Sequence, residues 1–253
     1  RLVSKRLDSN LRKNLDGTGG DGTLHEVGNG LAGQNVALGV VPSGTGNDFA
    51  RSLGLSLEPG QAITELAQGE IKKLDLGRCE KKYFINMGGL GFDADVAYRV
   101  NRKRFFRGRL AYLIAALQTL LAYKTYQLEI SIDNKVITAD SILVSVGNGQ
   151  YVGGGFRLLP QAALDDGLLD IMVVSNTSRK EIICALPSLY KGGHVGHPKC
   201  EFYRGREVII NLKDAKGAAI AQVDGEELLK FPLRFGIEPQ ALQVIVPKPC
   251  MAR

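Results

Sequence analysis

The sequence predicts an α/β unit followed by a β-rich unit, and three observations support this order. Two glycine-rich turns, at 19–23 and 44–47, each lead into a stretch with apolar residues at helical spacing. A short apolar run between them has the length of a buried strand. From about residue 71 the chain changes to many short runs rich in valine, isoleucine and leucine, which are typical of strands.

The N-terminal segment 2–15 is predicted to form an amphipathic helix, because a leucine or valine recurs at every fourth position from Val3 to Leu15. A glycine turn that binds phosphate normally leaves the end of a buried strand. We predict no such strand before Gly19, and we therefore expect that the chain is truncated or lacks segments near residue 16.

Four further elements are expected before the pattern changes. They are a helix over 24–33, a buried strand over 36–41, a glycine turn that opens a second helix over 42–54, and a third helix over 60–69. The segment 71–82 is interpreted as the crossing between two domains. The first domain would cover residues 1–72 and the second 73–253, with the last residues free to return to the first.

Short strands dominate the second half, and one long helix over about 108–123 interrupts them. Predicted strands cover 83–88, 126–132, 141–148, 168–174, 207–212, 219–224 and 243–247. This pattern indicates a second domain built mainly from sheet.

The composition is that of a folded protein, with 44% hydrophobic and 23% charged residues. The four cysteines form no CxxC pair, and a chain of 253 residues does not need disulfides, which favours free thiols in a reducing compartment. No targeting signal is recognised, and the longest apolar stretch, 110–123, is too short to span a bilayer. These observations favour a cytoplasmic protein.

The net charge of +6 is concentrated in one segment. Residues 99–109 contain six basic residues and no acid, and without them 26 basic residues would face 26 acidic ones. Basic charge interleaved with aromatic side chains suits an anionic membrane surface. The predicted docking residues are Arg102, Lys103, Arg104, Phe105, Phe106 and Arg107. A solvated loop with buried phenylalanines is an equally open alternative, and nucleic acid is disfavoured because no recognition motif accompanies the segment.

The two glycine turns are the strongest functional signal. Glycines before a helix expose backbone N–H groups that, with the helix dipole, bind phosphate, and Thr23 can add a hydroxyl donor. Asp21 would repel a bare phosphate, so its presence indicates a Mg²⁺ ion that bridges carboxylate and phosphate oxygens. The turns match neither the Walker pattern nor the dinucleotide GxGxxG pattern. A pair of purely structural turns is the alternative.

The segments "GGDGTLHEVGNGL" and "GVVPSGTGNDFAR" resemble the catalytic domain of the diacylglycerol kinase and sphingosine kinase superfamily. The later segments "FINMGGLGFDADV", "VGNGQYVGGGF", "DDGLLD" and "VDGE" are similar to its bacterial lipid-kinase branch. The resemblance runs from about Gly19 to Val246. It implies an N-terminal α/β nucleotide-binding domain, a C-terminal β-sandwich domain and an active site in the cleft between them.

The resemblance also places the nucleotide contacts on the two glycine turns. Contacts with ATP are expected at Gly19, Gly20, Asp21, Gly22, Thr23, Leu24, His25 and Glu26, and at Gly44, Thr45 and Asn47. The family has an additional N-terminal Asn-Pro-x-x-Gly loop that helps to hold the nucleotide, and this sequence does not contain it.

The acidic run "DDGLLD" at 165–170 would by itself predict a solvated turn. The resemblance instead implies a structural Mg²⁺ here, held by the carboxylate of Asp166 and the backbone carbonyls of Ala163 and Leu168. Carboxylate, carbonyl and water oxygens are ligands that suit Mg²⁺ or Ca²⁺ and do not suit zinc.

The segment "VDGEEL" at 223–228 could be no more than a hairpin turn. Phosphoryl transfer to a hydroxyl group requires a carboxylate that orients and deprotonates the nucleophile, and the resemblance assigns this role to the acid of the DGE motif. Glu226 is the expected base, with Asp224 as its partner or as the runner-up. Asp21 would act on the nucleotide side through Mg²⁺.

The resemblance therefore implies an ATP-dependent lipid kinase with ATP and Mg²⁺ as cofactors. It would phosphorylate a hydroxyl group of a diacylglycerol-like lipid at the inner face of the membrane, and a homodimer is an expected assembly because relatives often dimerise. Two alternatives stay open: an NAD kinase-like enzyme for a soluble alcohol, and a nucleotide- or lipid-binding protein without turnover.

Overall fold

The computed structural model describes residues 14–91, 124–213, 219–228 and 231–248. The predicted helix over 108–123 and the predicted docking residues 102–107 lie outside this part of the chain. Of the predicted helix over 2–15, only the last two residues lie inside it.

A strand leads directly into the first glycine turn. β1 (Asn14–Gly19) pairs in parallel with β2 (Ala37–Pro42) over its whole length. The prediction that no strand precedes Gly19 is therefore wrong, and the predicted helix does not reach Asn14 and Leu15. The segment contains one aspartate and two glycines, residues that are rare in strands, so the pattern of apolar residues did not indicate a strand here.

Three helices accompany β1 and β2 in the predicted order, one between the two strands and two after β2. They are α1 (Asp21–Leu31), α2 (Asp48–Ser52) and α3 (Pro59–Ala67). Their apolar side chains pack on the parallel strands, with Leu24 and Phe49 buried against Leu38 and Val40. The predicted α/β layer is thus present, and both glycine turns lie where a parallel strand ends and a helix begins.

Two long strands connect this layer to the rest of the molecule. β3 (Glu70–Cys79) pairs antiparallel with β13 (Leu233–Val246), and the register shifts between Glu238 and Leu242. The C-terminal part of β13 also pairs in parallel with β2. The segment interpreted as a domain crossing is therefore largely a strand. The exposed first half of this strand contains lysines, which are depleted in strands, so the sequence pattern did not indicate a strand there.

Sheet dominates the second half, as predicted. Its strands are β4 (Lys82–Phe84), β5 (Met87–Gly91), β6 (Tyr126–Ile132), β7 (Lys135–Gly147), β8 (Leu169–Ser175), β9 (Cys200–Gly205), β10 (Glu207–Leu212), β11 (Ala221–Val223) and β12 (Glu226–Leu228). The sheet runs in the order β1-β2-β13-β10-β6-β7-β5-β11-β12, with β3 and β4 branching from β13 and β8 and β9 branching from β7. Side chains from seven of these strands contribute to the larger apolar core.

One helix of this half was not predicted. α4 (Arg179–Leu189) begins at Ser178 with a capping box, in which Ser178 Oγ accepts the N–H of Glu181 at 3.3 Å and the Glu181 carboxylate accepts the N–H of Ser178 at 2.7 Å. A serine followed three residues later by glutamate is a helix-start signal that the sequence does contain.

The predicted strand over 83–88 is broken in the middle. β4 ends at Phe84 and β5 begins at Met87, and Ile85 and Asn86 between them turn their N–H groups toward a buried carboxylate instead of a neighbouring strand. This break creates part of the candidate site.

Candidate active site

The two glycine turns touch each other through their backbones. A Cβ atom at Gly44 would lie 2.4 Å from the Cα of Gly20, so a side chain cannot fit at this contact. The N–H of Ser43 donates to the carbonyl of Gly19 at 3.4 Å. Asn47 has a left-handed backbone, with φ 54°, and its side-chain amide bonds the N–H and the C=O of Gly44, each at 2.9 Å. The turns therefore form one continuous backbone surface.

α1 begins in this surface without a side-chain cap. Its N-cap residue is Gly20, which has an extended backbone and no side chain that could cover the helix end. The first N–H groups of a helix have no partner within the helix, and together with the helix dipole they attract anions. The surface thus has the geometry of a phosphate site.

Asp21, the acid of the first turn, binds the start of the helix that follows the second turn. Its Oδ1 accepts the N–H of Asp48 at 2.8 Å and the N–H of Phe49 at 3.3 Å. A Cβ atom at Gly46 would lie 2.5 Å from Asp21 Oδ2 and 3.3 Å from Asp48 Oδ2. The two carboxylates therefore face a common space that stays open because residue 46 is a glycine.

Burial makes this pair of acids electrostatically unfavourable. Burial raises the pKa of Asp21, and the nearby charge of Asp224 raises it further. Burial, followed by the charge of Asp21, raises the pKa of Asp48 from 3.8 to about 6. Asp48 Oδ1 is buried and has no hydrogen-bond partner within the described residues, and Arg51 Nε lies 3.9 Å from it.

The second half of the molecule closes over Asp48. Asp48 Oδ2 accepts the N–H of Gly154 at 2.9 Å, and Ser52 Oγ, one turn further along α2, accepts the N–H of Gln150 at 3.3 Å. Both donors belong to the loop after β7. The short helix α2 therefore binds the two halves of the molecule together beside the acidic pair.

Asp224 lies at the tip of the β11–β12 hairpin, and protein donors surround its carboxylate. Asp224 and Gly225 form a two-residue turn with φ values of 44° and 86°, as expected for Asp-Gly in a type I′ hairpin. Asp224 Oδ2 accepts the N–H of Ile85 at 2.7 Å, and Oδ1 accepts the N–H groups of Asn86 and Met87 at 3.0 and 3.1 Å. The side chain is only 1% exposed.

Glu226 follows on the same hairpin but its side chain is 44% exposed. Lys82 Nζ lies 2.5 Å from Glu226 Oε2, and this hydrogen bond is the main reason that the pKa of Glu226 is lowered. His25 Nε2 lies 3.7 Å from Glu226 Oε1. Of the two acids of the hairpin, Glu226 is the one whose carboxylate is open to an incoming group.

The predicted nucleotide contacts fall into two groups. The first group is exposed on the rim of the turns and consists of Gly22, Thr23, Glu26 and Thr45. Leu24 packs in the core of the α/β layer, and the His25 ring contacts Asp224. The side chains of Leu24 and His25 therefore point away from the surface of the turns, and the N–H of Leu24 already donates to the carbonyl of Gly20 at 3.1 Å.

Asp21 and Asp48 are the residues that could hold a Mg²⁺ ion. Asp48 Oδ1 has no hydrogen-bond partner within the described residues and burial raises the pKa of both acids, which is compatible with a cation beside this pair. No group of three or more His, Cys, Asp or Glu side chains in the described ranges is placed to hold a metal ion alone. Mg²⁺ is commonly held by one or two carboxylates together with the phosphate oxygens of a nucleotide, which this pair of acids would permit.

The predicted structural metal site has a different environment. Asp166 Oδ1 accepts the N–H of Leu168 at 3.1 Å, and its Oδ2 contacts the guanidinium of Arg204. Arg204 Nε also lies 3.4 Å from Asp170 Oδ2. A cation bound to Asp166 would have to displace Arg204, and the structural Mg²⁺ at Ala163, Asp166 and Leu168 stays a prediction.

The structure adds three residues that the sequence analysis did not single out. Asp48 is 27 positions from Asp21, Gly154 is 106 from Asp48, and Lys82 is 144 from Glu226. Asp48 belongs to the "GTGNDFAR" segment, so the sequence does contain a signal for a second acid beside Asp21. The positions of Lys82 and Gly154 depend on the tertiary fold and leave no signal in a single sequence.

Two family models match this chain. Residues 7–79 match the diacylglycerol kinase catalytic domain, and residues 87–246 match the YegS C-terminal NAD kinase beta sandwich-like domain. The chain belongs to the bacterial lipid-kinase branch of the diacylglycerol kinase family. This membership confirms the predicted fold class, an α/β domain followed by a β-sandwich-like domain.

Relatives in this family cover nearly the whole chain. The diacylglycerol kinase of Mycobacterium tuberculosis is 34% identical over 238 residues, which are 91% of this chain and 76% of that protein. A protein of Pseudomonas aeruginosa named "Probable lipid kinase YegS-like" is 34% identical over 250 residues, 98% of this chain and 80% of that protein. A crystal structure of a candidate diacylglycerol kinase from Bacillus anthracis superposes with a TM-score of 0.77 at 26% identity, covering 93% of this chain and 77% of that one.

Proposed function

We propose that this lipid kinase transfers the γ-phosphoryl group of ATP to a hydroxyl group of a diacylglycerol-like lipid at a membrane surface. The observation that supports this most strongly is that the acids of the glycine turns and of the DGE hairpin share one site. His25 lies on the helix that begins in the first glycine turn, and its ring is 3.1 Å from Asp224 Oδ2 and 3.7 Å from Glu226 Oε1. The names of the relatives support the class of the lipid substrate.

The nucleotide would bind to the backbone surface of the two glycine turns. The N–H groups at the start of α1 are available to its phosphates, and Thr23 and Thr45 lie exposed on the rim. Asp21 and Asp48 would hold Mg²⁺, which neutralises charge on the transferring phosphoryl group. Transfer to a hydroxyl group passes through an anionic transition state, so fixed donors and charge neutralisation provide most of the catalysis.

Glu226 would accept the proton of the lipid hydroxyl group. It is the exposed acid of the hairpin, and Lys82 keeps it ionised. Asp224 is unsuited to this role because backbone N–H groups already occupy both of its oxygens. The hydroxyl oxygen bonds to the γ-phosphorus, the bond from that phosphorus to the ADP oxygen breaks, and the proton passes to Glu226.

Action at the membrane is a separate part of the proposal. In the described part of the chain no helix has the length and hydrophobicity to cross a membrane. We propose contact with the inner membrane face through the basic and aromatic residues 102–107, which rests on the sequence alone. A cytoplasmic location and a homodimer are likewise inferred from composition and from resemblance.

The direct test is transfer of radiolabelled γ-phosphate from Mg·ATP to a panel of vesicle-borne lipids and soluble alcohols, including NAD. We expect label in a diacylglycerol-like lipid, with loss of transfer in Asp21→Asn and in Glu226→Gln. Glu227→Gln, which changes the exposed neighbour of Glu226, is the matched control and should retain transfer.

A second candidate function is phosphorylation of NAD or a related alcohol. One observation favours it, since the second family model describes an NAD kinase-like β-sandwich. Label in NAD and none in any lipid would establish this candidate. Bound ATP without transfer to any acceptor would instead support a binding protein without turnover.

A further inference from the structure

The ring of His25 lies between the two acids of the DGE hairpin. His25 Nδ1 is 3.1 Å from Asp224 Oδ2, and His25 Nε2 is 3.7 Å from Glu226 Oε1. The His25 side chain is only 6% exposed. The imidazole therefore connects the most buried acid of the site to its most exposed one.

The hydrogen-bond partners fix the orientation of the ring. With the three backbone N–H groups, His25 is the fourth donor to the carboxylate of Asp224, which as an anion can only accept. The hydrogen on Nδ1 must point at Asp224, and Nε2 is consequently the atom that faces Glu226. The same logic orients the histidine in nucleophile–histidine–aspartate sites.

Lys82 holds Glu226 from the other side. Its Nζ contacts Oε2, while the ring of His25 faces Oε1. Asn29 links the two elements that supply these groups, because its amide nitrogen donates to the carbonyls of His25 and Tyr83 and its oxygen accepts the N–H of Tyr83, all at 2.9 Å. α1 and β4 thus present two basic groups at a fixed separation around one carboxylate.

We propose that His25 is a positioning residue for Glu226 and that its side chain does not bind the nucleotide. This inference rests on the proposed function, in which Glu226 receives the proton of the acceptor hydroxyl group. The ring, anchored on Asp224, fixes the direction of Glu226 and adds positive charge beside it. The ring keeps its own protons while the proton of the hydroxyl group passes to the Glu226 carboxylate, so no further acceptor is needed.

The charges around His25 support this role. The titratable groups that face the ring are Asp224, Glu226 and Lys82. The hydrogen bond to Asp224 raises the pKa of His25, and burial opposes this only in part. A raised pKa means that the imidazolium persists to a higher pH than in a free histidine and is lost as the pH rises through that value. We therefore expect kcat to fall at alkaline pH as His25 loses its Nε2 proton.

The decisive variant is His25→Asn. Its amide can still donate to Asp224, but it has no atom in the position of Nε2. We expect kcat to fall about 10- to 100-fold, as for a catalytic group displaced by roughly an ångström, while the KM for ATP stays within about threefold and the alkaline limb of the kcat profile disappears. A raised KM for ATP with an unchanged kcat would overturn the proposal and restore His25 as a nucleotide contact. A lowered Tm with an unchanged pH profile would also overturn it, as a purely structural role.

A spectroscopic measurement on proteins with His25 intact covers the case in which His25→Asn does not fold. The chain contains three histidines, so the imidazole ¹⁵N signals can be assigned and titrated. We expect the pKa of His25 to fall in Glu226→Gln while Nδ1 keeps its hydrogen, and to stay unchanged in Glu227→Gln. A pKa of His25 that does not respond to Glu226→Gln would contradict the proposal. Full transfer activity in Glu226→Gln would instead refute Glu226 as the base. This result would contradict the proposed function, and the activity assay distinguishes it from the titration of His25.

Discussion

The carboxylate of Asp21 accepts the backbone N–H of Asp48 at 2.8 Å. This bond ties the first glycine turn to the start of α2, in addition to the backbone contact between Ser43 and Gly19, and places the two acids side by side in a buried space. Both acids have raised pKa values, so the site without a cation contains unfavourable negative charge that a bound Mg²⁺ would relieve. Function and stability should therefore oppose each other at this pair.

The contribution of Asp48 to the stability of the metal-free protein should fall as the pH rises from about 4 to about 6. The pKa of Asp48 is about 6 in the folded protein, above its ordinary value of 3.8, so the folded state holds the proton more tightly in this window. Each pKa unit corresponds to about 1.4 kcal/mol, and this residue alone accounts for about 3 kcal/mol. Urea unfolding of wild type and Asp48→Asn at both ends of the window measures the difference.

Asp48→Asn should remove most of this pH dependence and should be more stable than wild type at pH 7 without Mg²⁺. Asp140→Asn, an exposed acid on β7, is the control and should leave the pH dependence unchanged. A pH dependence that is the same in wild type and in Asp48→Asn would refute the unfavourable charge at Asp48.

Asp75→Ala should destabilise the junction between the two halves. Asp75 is buried opposite the register shift of β13, where its oxygens accept the N–H groups of Gln240 and Gly167, both at 2.7 Å. Its own carbonyl accepts the side-chain amide of Asn148 at 2.9 Å. Loss of two hydrogen bonds to a charged acceptor should lower the free energy of unfolding by about 3 kcal/mol, as measured by urea titration. Asp75→Asn, which keeps one acceptor oxygen, should lose less, and equal losses would contradict this explanation.

The predicted structural metal can be tested apart from the nucleotide site. In Asp48→Asn protein without ATP, we expect millimolar Mg²⁺ to raise Tm, because a ligand that binds only the folded state stabilises it. The increase should vanish in the double variant Asp48→Asn/Asp166→Asn. If Mg²⁺ leaves the Tm of Asp48→Asn unchanged, Arg204 is the permanent partner of Asp166 and the predicted metal site is wrong.

The basic segment can be tested by charge reversal. Glutamate at positions 102, 103 and 104 should weaken binding to vesicles with anionic lipid at low salt, because each well-placed basic residue contributes about 1 kcal/mol. Sedimentation with vesicles measures the effect, and reversal of Lys72 and Lys73, exposed on β3, is the control. Equal binding of the reversed and wild-type proteins would remove this segment from the membrane contact.

The sequence predicted those elements whose local pattern agrees with their place in the fold. The strands β6 and β10 have the predicted bounds because their residues are apolar and β-branched on one face. β1 was missed because its glycines and aspartate are unfavourable for strands, and pairing with β2 overrides that preference. The helix α4 was missed although its capping box at Ser178 is present, and it contains Pro187, which argues against a helix.

The candidate site could be predicted in part, because its motifs are local while its contacts are not. The "VDGEEL" segment forms the hairpin turn that its pattern suggests, and two of its three acids, Asp224 and Glu226, also face the site, so the structural and the functional interpretations are compatible. The burial of His25 and the pairing of Lys82 with Glu226 depend on how α1, β4 and the hairpin meet. Contacts between such distant segments cannot be predicted from the spacing of residues in a single sequence.

In the proposed mechanism, Asp21 and Asp48 bind Mg·nucleotide, and Glu226 acts on the hydroxyl acceptor. Calorimetric titration with a non-hydrolysable Mg·ATP analogue, alongside turnover on diacylglycerol vesicles, tests it most directly. We expect Asp48→Asn to lose affinity for the Mg²⁺ complex at least tenfold, and Glu226→Gln to bind it like wild type yet turn over at least a hundredfold more slowly. Asp48→Asn that binds the Mg·ATP analogue as tightly as wild type, or Glu226→Gln that binds it more weakly than wild type, would contradict this assignment of roles.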